Sequence, residues 1–462
     1  MNLIIDSTYL LAAALFIFGL KLLGSPATAR KGNLLASVGM LIAVVITLLN
    51  QEILNYYMIL IGVIIGASIG GVLAKQIRMT AMPQMVAIFN GFGGAASALI
   101  AISEFLNLYQ ASDGIEYHVS LAIMVGTLIG LVTLSGSFIA FGKLQDILTT
   151  KPVTFPLQRT ISLALFLGVI AMTAYMISVP SLGVYIGLSV LSLIIGVLVV
   201  VRIGGADMPV VISLLNSYSG LAAAAAGFVL NNMMLIVGGS LVGAAGLILT
   251  SIMCKAMNRS LSNVMFGAFG AAAQSVTSIP GRDADRPVRD VSAEDAAITL
   301  GYAQSVIVVP GYGLAVAQAQ HQVRELADVL EARGVNVSYA VHPVAGRMPG
   351  HMNVLLAEAN VPYDKLYDLD QINNEFARTD VAVVIGANDV VNPDARDLPD
   401  SPIYGMPILN VDHAQACIVL KRSMNTGFAG IDNELFYKEK TMMLFGDAKA
   451  SVTKLVTEVK AL

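Results

Sequence analysis

The sequence predicts two domains in series: a polytopic α-helical membrane domain, then an α/β domain built on a doubly wound parallel sheet. Three observations predict this. Apolar runs long enough to cross a bilayer repeat through the first half of the chain, and the basic residues between them fall on alternate connections. After residue 304 the hydrophobic period changes to short apolar strands separated by amphipathic helices.

The composition agrees with such a division. The 462 residues are 56% hydrophobic and 13% charged, with mean hydropathy +0.74, too apolar for an ordinary soluble chain. Through Arg259 there are eleven basic and seven acidic residues, and beyond it sixteen and twenty-four. A slightly basic apolar half therefore precedes an acidic half of ordinary make-up. Cys254 and Cys417 lie far apart and form neither a CxxC pair nor a disulfide framework, which favours a reducing compartment and no metal site.

A bilayer core about 30 Å thick takes roughly 20 apolar residues of helix, because every backbone polar group must be satisfied internally. Nine stretches qualify: 3–23, 34–49, 53–73, 83–102, 120–141, 161–177, 182–201, 209–230 and 233–254. Lys21, Arg30 and Lys31 follow the first, and Lys75 and Arg78 the third. Lys143, Lys151 and Arg159 follow the fifth, Arg202 the seventh, and Lys255 and Arg259 the ninth. Connections after the even-numbered helices carry no Lys or Arg, and one carries Glu104, Asp113 and Glu116, with His118 also outside. A missed helix would scramble this alternation. The N-terminus is therefore expected outside and the α/β domain in the cytoplasm.

Glycines 66, 70, 71, 91, 93 and 94 and the run Ala222 to Ala226 are expected to let helices approach closely. Asn90 and Asn216 within spans, with Ser213, Ser217 and Ser219, and Asp207 at the cytoplasmic mouth of the eighth helix, have two readings. They belong either to a polar pathway or to hydrogen bonds between helices. No histidine falls inside a span. Residues 1–259 thus form the expected membrane domain. Residues 260–303 read as a cytoplasmic linker whose mixed charge between 274 and 299 argues against a helix.

In the expected 304–462 domain, 305–309 reads as a buried strand, 310–313 as a tight turn, 314–333 as one amphipathic helix and 335–341 as a second strand. Strands follow at 381–385, 408–411 and 418–421, and a final helix starts near Ala448. Strand–helix alternation makes this a Rossmann-like sheet. Gly311 permits the first turn, Gly313 would admit a pyrophosphate, and Val316 stands where the fingerprint has its third glycine. An NAD-binding unit needs an acid at the end of its second strand, whereas this strand ends Tyr339, Ala340, Val341, His342. Lys421, Arg422 and Ser423 end a later strand, suited either to a 2′-phosphate or to plain solvation. Asp389, leaving another strand, is either a turn-former or a carboxylate beside the nicotinamide.

These runs resemble the beta subunits of proton-translocating nicotinamide nucleotide transhydrogenases over essentially the whole chain. They are GYGLAVAQAQ from Gly311, HPVAGRMPGHMNVLLAEA from His342, GANDVVNP from Gly386, KRSMNTGFAG from Lys421 and LFGDAKAS from Leu444. DMPVVISLLNSYSG from Asp207 and MCKAMNRS from Met253 carry the likeness into the membrane half. The resemblance implies an enzyme in which inward proton flow drives hydride transfer from NADH, on a separate alpha subunit, to NADP⁺ on this chain. It places the nucleotide against Gly311, Tyr312, Gly313 and Val316; against Val344, Ala345, Gly346, Arg347, Met348 and Pro349; and against Gly386, Ala387, Asn388, Asp389 and Val390. Gly405 and Met406, then Met424, Asn425, Thr426, Gly427 and Phe428, then Asp447 and Ala448 complete the site. Lys421, Arg422 and Ser423 would hold the 2′-phosphate, and Asp389 would couple cofactor state to protonation.

The resemblance further implies a bacterial cytoplasmic membrane, a dimer of protomers and no nucleic-acid partner. Two departures stand out. Asn90 occupies the place of a membrane histidine common after the MPQMVA run, which implies a small partner membrane subunit carrying that histidine. Phe428 replaces a frequent tyrosine. Two other classes fit the same layout: a channel gated by a cytoplasmic Rossmann sensor, and an uncoupled NADP-binding regulatory module.

Overall fold

The computed structural model describes residues 2–49, 55–111, 116–258, 260–266 and 286–462. It divides into two compact units, Met1–Gly205 with Val211–Thr250, and Ala206–Val210 with Ser251–Leu462. Among the described residues nine helices are long and apolar enough to cross a membrane. They are α1 (Asn2–Leu23), α2 (Pro26–Leu48), α3 (Tyr56–Gln76), α4 (Met82–Ala111), α5 (Tyr117–Leu144), α6 (Gln158–Ser178), α7 (Leu182–Val201), α8 (Met208–Val229) and α9 (Met233–Ala256).

Two boundaries differ from expectation. Helix α2 begins eight residues early because Pro26 serves as its first helical residue, where a missing N–H costs nothing. Helix α4 runs on to Ala111, since no glycine or proline interrupts 95–111. Glu104 therefore lies within α4 and His118 in the first turn of α5, neither in a loop. Asp113 lies outside the described residues.

Close approach is built on small residues, as expected for helices without a hydrophobic drive between them. A methyl on Gly94 of α4 would stand 2.7 Å from the Gly130 carbonyl of α5, and one on Gly220 of α8 would stand 2.4 Å from the Gly243 amide of α9. Gly66, Gly70 and Gly71 do not share this role, since a methyl there meets nothing within 4 Å. Asn90 is buried, donates to the Ile212 carbonyl at 3.4 Å and accepts the Ser219 hydroxyl on its own carbonyl at 3.1 Å. Ser213 and Ser217 turn instead to α9, donating to the carbonyls of Gly246 and Gly243 at 3.3 and 2.6 Å. Asn216 joins neither set and is exposed on α8. Asp207 is buried in the single turn that leads into α8.

Among the described residues the second unit carries six parallel strands, β1 (Ser305–Pro310), β2 (Asn336–Val341), β3 (Leu366–Asp368), β4 (Val381–Ile385), β5 (Ala416–Lys421) and β6 (Thr441–Phe445), in the order β3-β2-β1-β4-β5-β6. The order reverses between β1 and β4, the switch point at which doubly wound sheets hold ligands. Its helices are α10 (Leu261–Phe266), α11 (Ala293–Gly301), α12 (Tyr312–Ala317), α13 (Gln320–Ala332), α14 (His351–Glu358), α15 (Leu369–Ile372), α16 (Asp394–Asp397) and α17 (Ala448–Ala461).

Four local expectations are corrected. The helix read through 314–333 breaks at Gln318, whose backbone is left-handed at φ 50°, giving α12 and α13. Residues 408–411 bury Ile408, Leu409 and Val411 without pairing as a strand, because the Leu409 amide turns to the Val390 carbonyl at 2.9 Å. Two strands went unread, β3 with only three residues and the methionine-rich β6. Finally, 293–301, expected inside a linker, is a helix with a Ser292–Asp295 capping box, and Val291 already bonds to Met443 at 3.0 Å. Residues 267–285 lie outside the described part of the chain.

Candidate functional site

Every loop leaving the carboxyl end of β1, β2, β4, β5 and β6 carries residues singled out in the sequence. The first is fixed by glycine. Gly311 and Gly313 donate their amides to the carbonyls of Ile385 and Gly386, both at 2.9 Å, and a methyl on Gly311 would lie 2.3 Å from the Ala387 nitrogen. Gly386 answers with φ +71°, and its own methyl would strike Gly313 Cα at 2.4 Å. The two turns interlock through backbone alone. The Gly313 amide is therefore committed to Gly386 and not left for a phosphate, and Val316 faces outward while Leu314 and Ala315 pack inward.

The loop after β2 carries Arg347 and is pinned by two buried imidazoles. His342 Nδ1 accepts the Val344 amide at 3.2 Å, so the ring is protonated on Nε2, which donates to the Pro407 carbonyl at 2.8 Å. Burial holds this imidazole down at about 4, so it is neutral at physiological pH. His351 Nδ1 accepts the Arg347 amide at 3.0 Å. Thus positioned, the Arg347 guanidinium lies 4.7 Å over the Tyr312 ring, which stands 6.3 Å from both the His351 and Phe428 rings. Ala345 and Met348 are buried under the loop, while Gly346 and Gly350 take φ of +116° and +69°.

Asp389 follows β4. Its Oδ2 accepts the Ala429 amide at 3.0 Å, and its Oδ1 is sealed from solvent with no hydrogen-bond partner among the described residues. Burial pushes this carboxyl above the usual carboxylate range, opposed by the Ala429 amide, Lys421 and the Phe428 amide. A methyl on Gly427 would stand 2.5 Å from Oδ1. Lys421 at the end of β5 donates to the Asn425 carbonyl at 2.5 Å and stands 4.6 Å over the Phe436 ring. Burial lowers its ammonium, and Asp389 and Asp432 pull it back up. Arg422 and Ser423 beside it are exposed, as are Asn425, Thr426 and Phe428, while Met424 is half-buried.

The remaining expected residues separate. Gly405 (φ +80°) bonds to the Ala395 carbonyl at 2.8 Å, and Met406 leads to the Pro407 that holds His342. Asp447 caps α17 through the amides of Lys449 and Ala450 at 3.1 and 3.2 Å, with Ala448 buried beneath. Ala387 is buried, and Asn388 and Val390 flank Asp389 half-buried. The sequence reading missed His351, Asn392 and Asn433. The last two are buried side chains that bond the Asp389 and Ala429 loops together. Histidines at both ends of a Gly-Pro loop were the only visible signal.

The donor set fits a dinucleotide bearing an extra phosphate. Two adjacent cations and a hydroxyl end β5, an arginine and an aromatic ring lie beyond β2 and β1, and the Asp389 carboxyl follows β4. A sequence model of the family described as NAD(P) transhydrogenase beta subunit matches residues 5–458. The chain belongs to that family. The NAD(P) transhydrogenase subunit beta of Rhodospirillum rubrum is 51% identical over 454 residues, covering 97% of this chain and 98% of the relative. A protein of the same name from a particular strain of that organism matches to the same extent. As a member of this family the chain is part of an enzyme acting on nicotinamide nucleotides, the family's name implies an alpha subunit, and the nine apolar helices among its described residues mark it as a membrane protein.

Proposed function

We propose that this beta subunit binds NADP(H) across the carboxyl edge of its sheet and that NADH, on the partner alpha subunit, delivers hydride to it as protons move inward. The observation that carries this reading is a reversal of polarity. The end of β2, where an NAD site offers a carboxylate, holds the neutral imidazole of His342, while Lys421 and Arg422 stand at the end of β5. Guanidinium, ammonium and the Ser423 hydroxyl match a 2′-phosphate dianion. Lys421, Arg422 and Ser423 would then hold the adenosine phosphate, and Tyr312 and Asp389, at the β1–β4 switch point, would serve the nicotinamide. NADP⁺ bound there would supply the hydride-accepting ring. Asp389 holds or releases a proton at Oδ1 according to the charge beside it, and the Ala429 amide orients it.

The membrane half supports a partner helix. Nearly all of α8 around Asn216 is buried, yet this polar side chain is exposed on a helix of spanning length, a placement that is costly in lipid. Asn90 and Asn216 can hold water but cannot titrate. A small membrane subunit bringing a histidine against α4 and α8 supplies the missing group. The assembly we propose contains this chain, a soluble NAD(H)-binding chain and the small subunit, paired as a dimer of protomers in a bacterial inner membrane. The N-terminus is outside, residues 1–259 span the membrane, 260–303 connect, and the NADP(H) domain from 304 to 462 is cytoplasmic.

Reconstitution in vesicles tests the assignment. With both partners present, NADH should reduce an NADP⁺ analogue while protons leave vesicles whose NADP(H) domains face outward, and substituting the small subunit's histidine should abolish that movement. Proton movement without hydride transfer would favour a nucleotide-gated channel. Full pumping with the soluble partner alone would remove the small subunit from the account.

A further inference from the structure

The segment 429–434 is tied to 388–392 at four points. The Ala429 amide reaches Asp389 Oδ2 at 3.0 Å, and Asn392 Nδ2 donates to the Asp432 carbonyl at 3.0 Å. Asn433 Nδ2 donates to the Asn388 carbonyl and Oδ1 at 3.0 and 3.2 Å, and the Glu434 amide meets Asn392 Oδ1 at 3.4 Å. The far end of this segment is held from outside. Arg286 Nη1 lies 3.0 and 2.9 Å from the two carboxylate oxygens of Glu434, and its guanidinium lies 3.9 Å over the Tyr437 ring. Both side chains of the ion pair are only about a quarter exposed, 27% and 28%, so solvent screens them less than a surface pair.

Arg286 lies just ahead of Asp290, which bridges to Met443 of β6. Entry into the sheet is already secured without it, since the Met443 amide bonds to the Arg289 carbonyl at 2.8 Å and the Val291 amide to the Met443 carbonyl at 3.0 Å. The pair with Glu434 and the stack on Tyr437 therefore act on the 429–437 loop and not on strand entry.

We infer that Arg286 is a positioning residue for Asp389: by holding Glu434 and Tyr437 it keeps the 429–434 segment against 388–392 and the Ala429 amide on the carboxylate. Its consequence for turnover rests on the NADP(H) reading above, whereas the restraint on the loop needs no ligand.

The test uses the full chain assembled with its partner subunits, carrying Arg286→Glu, Glu434→Arg, both together, or the milder Arg286→Gln. Hydrogen exchange of the 429–434 amides without nucleotide reads the restraint, and KM for NADP⁺ against kcat reads its effect on the site. Each single variant should exchange about tenfold faster, the equivalent of losing one charge-assisted contact. KM for NADP⁺ should rise about fivefold, with kcat less affected, and the double swap should restore both. Unchanged exchange in every single variant, or a double variant no better than the worse single, overturns the inference. Faster exchange with unchanged KM also overturns it, since the restraint then does not reach the site. Exchange decides the restraint even for an assembly that fails to turn over NADP⁺, so failure of the nucleotide reading is distinguishable.

Discussion

Ala429 donates its backbone N–H to Asp389 Oδ2 at 3.0 Å, joining loops that leave different strands forty residues apart. The bond favours the ionised carboxylate, while burial of the other oxygen favours the acid, and burial dominates. Asp389 is therefore poised between two states by groups of the loops that follow β4 and β5.

Asp389→Asn follows from this balance. A carboxyl raised in the folded chain holds a proton that the unfolded chain releases, so stability falls as pH rises from the ordinary carboxylate range through the raised value. The asparagine variant should lose this dependence, seen as a thermal midpoint that changes less with pH above the ordinary carboxylate range. It should also transfer hydride without moving protons in vesicles. A normal pumping ratio would remove Asp389 from coupling.

His342 works in the opposite direction. Its imidazole titrates at about 4 when folded against an ordinary value of 6.5, so its contribution to stability is complete above pH 6.5 and lost as pH falls toward 4. The shift corresponds to about 3 kcal/mol. His342→Asn keeps an acceptor for the Val344 amide without the titrating ring. Its midpoint should fall less steeply than wild type below pH 6.5, and an unchanged slope would contradict the burial argument.

The interlocked turns make a sharper structural prediction. Gly311→Ala puts a methyl 2.3 Å from backbone, so strands β1 and β4 must separate locally, with a loss of at least about 3 kcal/mol. Gly334→Ala meets open space and strains only its φ of +88°, at about 1–2 kcal/mol. Chemical denaturation of the two variants should rank them in that order. Equal losses would mean that backbone strain, and not close approach, sets the cost.

Much of this was legible in sequence because it is periodic or local. The nine apolar runs, the β1 turn with its glycines and the Lys421–Ser423 cluster each depend on neighbours within a few residues. What escaped depends on distant ones. The break at Gln318 follows from a left-handed residue that glutamine rarely signals, and 408–411 looks like a strand until Leu409 bonds to Val390. The capping box of Ser292 and Asp295 was readable but was masked by the mixed charge before it. Asn392 and Asn433 are polar residues whose burial is repaid only by loops from another strand, and Asn216 was placed with Asn90 although the two face differently.

Under the proposed function the β5 cations select the phosphorylated dinucleotide. The direct measurement is titration of the full chain with NADPH and with NADH, in wild type and in Arg422→Ala, following nucleotide fluorescence. A charge-assisted contact contributes about 1.5–3 kcal/mol, so wild type should prefer NADPH and the variant should bind it at least about tenfold more weakly, with NADH little changed. Equal affinity for the two nucleotides in wild type, or an NADPH affinity untouched by the substitution, would contradict it.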